Sequence, residues 1–208
     1  MSERCTKCLR SVQTCYCKYI NPVDVGVKFV YLMHPHEAYH QRTGTGRLAS
    51  LSLSDSEIIV GKSFDCNIRT NELISDPAYY PMVLYPGKTA QSAESFNFKD
   101  VTEGRKLLIF LIDATWVMAR KMMFRSPELQ KLPRLTFERE YRSEFRIKTQ
   151  PADYCLSTIE SSYYLIKELQ ASGVCDSKLN IEGLMSVFKR MINFQIECKE
   201  SRIASQIV

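Results

Sequence analysis

Residues 107–112, Leu-Leu-Ile-Phe-Leu-Ile, restrict the fold more than any other stretch of the chain. The run is preceded by Arg105 and Lys106 and stops at a carboxylate, Asp113. An unbroken apolar run of this length, bounded by charges, reads as a β-strand covered on both faces. Such strands belong to parallel sheets with helices on either side, and those sheets take ligands beyond the carboxyl ends of their strands. This register puts Asp113 there. Further strands are expected at 27–33 (VKFVYLM), 57–61 (EIIVG) and 81–86 (PMVLYP). Helices are expected at 45–53, directly after Asp113, at 153–172 and at 180–201. Within the third of these, Ile159, Tyr163, Ile166 and Leu169 recur at steps of three or four, so one face is apolar. Strands alternating with helices make the chain α/β, with a largely parallel sheet and flanking helices. The stretch YPGKTAQSAESFNFKDVTEGRK, 85–106, reads as a long polar link.

A chain of 208 residues can build a single core. No apolar stretch is long enough to span a bilayer, and the N-terminus MSERCTKCLR lacks the apolar centre of a signal peptide. The expectation is a cytoplasmic protein with no membrane association. In a reducing compartment eight cysteines are not a disulfide framework. Four of them, Cys5, Cys8, Cys15 and Cys17, fall in CTKCLRSVQTCYC as two short pairs. Two such pairs can surround one tetrahedral Zn2+, and four sulfur ligands leave no open position, so the ion would be structural. The expected organisation is a zinc knuckle over 1–22 followed by an α/β domain over 23–208. The knuckle would carry Arg4, Lys7, Arg10 and Lys18, a set suited to phosphates.

The net charge of +5 is mild, so only clustered cations argue for a polyanionic partner. Two regions do cluster them. HPHEAYHQRTGTGRLASL, 34–51, holds all three histidines, His34, His36 and His40, with Glu37, Arg42 and Arg47. Its histidine spacing matches no zincin pattern, and it reads better as a Gly-rich turn entering a helix, where backbone amides face an anion. After Asp113, Lys121 and Arg125 share a face of the following helix and Arg120 lies close by. Asp113 itself is either a helix cap or a site carboxylate, and Trp116 is either core or a platform for a base.

DATW (113–116) followed by ARKM, with TGRLASL upstream, LYP at 84–86, RSPELQKLPR downstream and the cysteine quartet in front, resembles the DTW-domain family of tRNA-uridine aminocarboxypropyltransferases. Two positions depart from the family pattern: Ser11 stands where Pro is expected, and Gly44 where Asn is common. The resemblance implies transfer of the 3-amino-3-carboxypropyl group of S-adenosylmethionine to N3 of a tRNA uridine, releasing methylthioadenosine. It also implies a domain like the SPOUT-type RNA methyltransferases, with a knotted C-terminal half. Carried over onto this sequence, Leu84, Tyr85, Pro86, Asp113, Thr115, Trp116, Leu156, Ser157, Thr158 and Glu160 would surround the co-substrate. Asp113 would take the N3 proton or hold the co-substrate's ammonium, with His34 as the second candidate base. Arg42, Arg47, Arg120, Lys121 and Arg125 would bind tRNA phosphates. The alternatives are a SPOUT-type methyltransferase using the same co-substrate and a non-catalytic zinc-knuckle RNA-binding protein.

Overall fold

The computed structural model describes residues 3–41, 43–147 and 155–204, with side chains described as far as 201. Six strands form one sheet: β1 Lys28–Met33, β2 Ser56–Val60, β3 Tyr79–Leu84, β4 Gln91–Ser92, β5 Lys106–Asp113 and β6 Arg134–Thr136. Their order is β2-β1-β5-β3-β6-β4, and every neighbouring pair is parallel. Among the described residues eight α-helices accompany them: α1 Pro35–His40, α2 Thr45–Leu51, α3 Ile68–Ser75, α4 Phe98–Thr102, α5 Trp116–Phe124, α6 Pro127–Lys131, α7 Thr158–Ala171 and α8 Glu182–Ala204.

The apolar run of β5 is explained by its position between β1 and β3. Leu107, Ile109 and Leu111 pack into a core with residues of α2, α7 and α8, while Leu108 and Phe110 pack into a second core with residues of α3, α5 and α6. A strand with helices on both faces has no solvent side, which is why no alternation survives in its sequence. β1 is built in the same way, with Phe29 and Tyr31 in the first core and Val30 and Leu32 in the second. At the amino ends of the strands, Lys28 and Lys106 both reach Asp55, and Lys28 also pairs with Glu57.

The stretch 85–106 departs from its reading as a polar link. It contains β4 and α4, buries Ala93 and Phe98, and brings the rings of Phe96 and Phe98 to 4.7 Å. Its apolar residues are sparse and its strand is two residues long, so no periodicity marks it. α7 begins at Thr158, within the predicted span, and its N-terminus is a capping box between Ser157 and Glu160; residues 153 and 154 lie outside the described residues. Among the described residues, no helix is long and apolar enough to cross a membrane.

Candidate functional site

The four cysteines of the N-terminus converge. Their sulfur atoms all lie within 4.8 Å of one another, with Cys5–Cys17 at 3.8 Å and Cys8–Cys15 at 3.6 Å. A sulfur tetrahedron with metal–sulfur bonds of about 2.3 Å has edges of roughly 3.8 Å, so the spacing fits a metal such as zinc. The turn that achieves it places Leu9 in the left-handed region, φ 59°, between Cys8 and Arg10. Amide donors of Cys8 and Lys7 pull the Cys5 thiol down to about 6, toward the thiolate that a metal needs, whereas burial pushes Cys17 up. The knuckle is docked on α8. Arg10 lies over the Tyr16 ring and donates to Met191 Sδ, and the Arg190 guanidinium sits 3.9 Å from the Tyr19 ring centroid. Arg10 thus faces the protein, while Arg4, Lys7 and Lys18 face outward.

At the carboxyl end of the sheet the strands deliver a cavity of about 280 Å³. Leu84, Tyr85 and Pro86 come from the end of β3, Leu111, Ile112 and Ala114 from β5, and Leu135, Thr136 and Phe137 from β6. Trp116 and Ala119 of α5 and Leu156, Thr158 and Ser161 around the start of α7 complete the wall. No charged side chain is among them. The cavity is apolar with a few hydroxyls, the composition of a site that holds a largely apolar ligand and orients it by a few polar contacts.

Asp113 lies one hydrogen bond behind this wall. Its side chain is 4% exposed, and Oδ1 accepts a 2.5 Å bond from the Thr158 hydroxyl. The carboxylate rests against the first turn of α2, so closely that a Cβ on Gly46 would stand 2.1 Å from Oδ2. Glycine is obligatory there. Thr45, beside it, accepts from the backbone N–H of Thr158. TGR, DATW and LSTIE therefore meet at one point, although 113 positions separate Thr45 from Thr158. Behind them, Ser162 donates to the Thr158 carbonyl, which leaves the Tyr31 hydroxyl to donate to Ser162. Burial holds the Tyr31 phenol in its protonated form.

The remaining expected site residues divide into two groups. Leu84, Tyr85, Pro86, Trp116, Leu156 and Thr158 line the cavity; Asp113, Thr115, Ser157, Glu160 and His34 do not. Thr115, not Asp113, caps α5, by accepting from the Met118 N–H. Trp116 is 39% exposed, because the buried face of α5 belongs to Ala119, Met122 and Met123. Glu160 is fully buried and accepts from Ser157, the Ser143 hydroxyl and the Glu144 N–H, binding the 143–144 loop to α7. His34 follows β1 and donates its backbone N–H to the Asp113 carbonyl, while its Nδ1 caps α1 by accepting from His36. Burial and the nearby Lys62 keep His34 below the ordinary histidine value.

Among the described residues the only metal-binding group of side chains is the cysteine quartet, so the histidines do not converge. Arg120 and Lys121 are exposed on α5, Arg125 is exposed at its C-cap and Arg47 is half-buried on α2; none makes an ion pair among the described residues. Arg42 lies outside the described residues. Residues 135–137 escaped sequence reasoning because β6 is three residues long. Ser161 could have been found, since it stands one helical turn after Thr158.

The sequence profile of the DTW domain matches residues 2–196. The chain belongs to the DTW domain family. A Drosophila melanogaster relative named tRNA-uridine aminocarboxypropyltransferase 2 is 30% identical over 177 residues, 81% of this chain and 67% of that protein. The Mus musculus protein of the same name is 24% identical over 199 residues, 93% of this chain and 63% of its own length. An Arabidopsis thaliana relative, tRNA-uridine aminocarboxypropyltransferase A, is 24% identical over 217 residues, 92% of this chain and 80% of its own. This DTW chain thus spans about two thirds of the length of the fly and mouse proteins. No solved structure matches it.

Proposed function

We propose that this DTW protein transfers the 3-amino-3-carboxypropyl group of S-adenosylmethionine to N3 of a tRNA uridine, with methylthioadenosine as the second product. The observation that carries the reading is the meeting of TGR, DATW and LSTIE directly behind one apolar cavity that LYP helps to line, beside a helix whose cations are unpaired among the described residues. The names of the relatives agree with it.

The apolar wall suits an adenosine, and Tyr85 and Trp116 offer faces on which rings can stack. S-adenosylmethionine supplies a carbon already activated by its sulfonium, so the protein's work is to aim it and to remove the N3 proton. The hydroxyl of Thr158 faces the cavity and already directs its own proton to Asp113. In this reading Thr158 Oγ1 receives the N3 proton as it passes its own to Asp113, and the fixed amide and hydroxyl network behind it holds the geometry. The uridine is presented from a loop or extruded from pairing, because N3 is otherwise engaged. Arg47, Arg120, Lys121 and Arg125 contact tRNA phosphates. The cysteine quartet holds a structural Zn2+ that shapes the knuckle against α8.

Nucleoside mass spectrometry of tRNA incubated with the protein and S-adenosylmethionine tests this. An aminocarboxypropyl mass gain on uridine, with release of methylthioadenosine, is expected. A methyl gain would make the protein a methyltransferase, and tRNA binding without consumption of S-adenosylmethionine would make it an RNA-binding module.

A further inference from the structure

A zwitterionic amino-acid end cannot be left in the cavity described above without charged partners, because burying an unpaired carboxylate is strongly unfavourable. Among the described residues none of the lining side chains is charged, and the rim is where a described cation can be found. We propose that Arg134 is that cation and binds the carboxylate of the aminocarboxypropyl group; the inference rests on the co-substrate reading given above.

Three observations single out Arg134. It opens β6, pairs with Val83 of β3, and is followed by three residues that line the cavity, Leu135, Thr136 and Phe137. Its guanidinium lies 5.8 Å from the ring centroid of Tyr85, itself a lining residue. Gly87, directly after the lining residue Pro86, leaves space for Nη1: a Cβ there would stand 2.7 Å from it. The guanidinium is thus held against the 85–87 segment, which feeds the cavity wall from the end of β3, and it has no carboxylate partner among the described residues. Arg139, in an adjoining hollow that shares Phe137 and Leu156 with the cavity, is by contrast already paired with Glu94. A planar fork of donors, half-buried beside an aromatic ring and unpaired, is suited to bidentate capture of a carboxylate.

The test compares three ligands on the zinc-loaded, full-length protein by calorimetry: S-adenosylmethionine, its decarboxylated analogue, and methylthioadenosine, which lacks the whole amino-acid end. Arg134→Met removes the cation. Gly87→Ala retains it but displaces the guanidinium, and provides the second variant if the first does not fold. Each is expected to weaken S-adenosylmethionine by about 10- to 100-fold, the loss of a charge-assisted pair, and to leave the other two ligands within a factor of about two, the ordinary scatter of such measurements. Arg134→Lys should fall between, since it keeps the charge and loses the fork. Equal weakening of all three ligands would overturn the inference, as would unchanged affinity for S-adenosylmethionine. So would loss of tRNA binding alone, which would make Arg134 a phosphate contact. Failure of the unsubstituted protein to bind any of the three would overturn the co-substrate reading itself, and the two failures are therefore told apart by the unsubstituted protein.

Discussion

Thr158 donates its hydroxyl to Asp113 across 2.5 Å, joining the first turn of α7 to the carboxyl end of β5. The bond serves two purposes: it satisfies a buried carboxylate and points the threonine's proton away from the cavity. Thr158→Val keeps the shape and removes the donor, so it should cost about 1–3 kcal/mol of stability. If the hydroxyl also relays the N3 proton, turnover should fall about 100-fold or more, and Thr158→Ser should restore both. Urea unfolding and single-turnover kinetics measure the two effects separately; a valine protein with normal turnover would remove Thr158 and Asp113 from the chemistry.

Replacing a helical glycine by alanine ordinarily stabilises a protein by about 0.5–1 kcal/mol. Gly183, at the start of α8, has nothing within 4 Å of the position of an added Cβ, and Gly183→Ala should show that ordinary gain. Gly46→Ala should have the opposite sign. Its methyl would meet the Asp113 carboxylate at 2.1 Å, and either the acid or α2 must move. A loss of about 1–3 kcal/mol is expected, together with impaired turnover. Thermal unfolding of the two variants side by side checks the reversal.

Several of these relationships were readable in the sequence, and the reasons differ by element. β5 was legible because a strand covered on both faces must be apolar throughout, and α7 because Ile159, Tyr163, Ile166 and Leu169 mark one apolar face. The meeting of TGR with LSTIE was not, since it depends on how two helices far apart in sequence dock on one face of the sheet. β6 was invisible for a similar reason: three residues carry no period, and their pairing with β3 is what makes them a strand. Trp116 read as core in preference to site from its size alone, because its helical phase relative to the sheet is a tertiary property. Only the packing of Ala119, Met122 and Met123 turns it toward the cavity.

The ion network at the opposite end of the sheet predicts an acid limb in stability. Burial by itself would raise Asp55, but bonds from Lys106 and Lys28 outweigh it and hold the carboxyl below its ordinary value. Arg69 and Lys28 do the same for Glu57 against its burial. A carboxyl with a depressed folded-state pKa stabilises the fold above its unfolded value, about 4, and loses that contribution as pH falls through the folded one. Asp55→Asn should therefore cost about 2 kcal/mol at pH 7 and progressively less in acid. Urea midpoints of both proteins between pH 7 and pH 3 should converge; curves that stay parallel would show that the contribution of Asp55 does not come from its charge.

The knuckle predicts one equivalent of zinc by elemental analysis and four cysteines shielded from thiol reagents until a chelator is added. Because Arg10 contacts Met191 and Arg190 covers Tyr19, removing the metal should also loosen α8. Amide exchange along 182–201 should accelerate on chelation while β1 and β5 stay protected. Cys8→Ser should reproduce both effects without chelator, and metal content unchanged in that variant would exclude the quartet as the ligand set.

The exposed cations of α5 lie on the helix that supplies Trp116 and Ala119 to the cavity wall. If they meet tRNA phosphates, affinity must depend on salt, since each neutralised phosphate releases condensed counterions. Replacing Arg120, Lys121 and Arg125 by glutamine, singly and together, should weaken tRNA binding and flatten the plot of log affinity against log salt by about 0.7–0.9 for each lost contact. Phe124 stands on the same helix and is 82% exposed, so it provides the control. A loss of stacking or packing at Phe124→Ala can lower affinity but leaves the salt slope intact. Slopes unchanged in the triple variant would place the RNA on another face, and the cavity would then have to be reached from the side of α2 and Arg47.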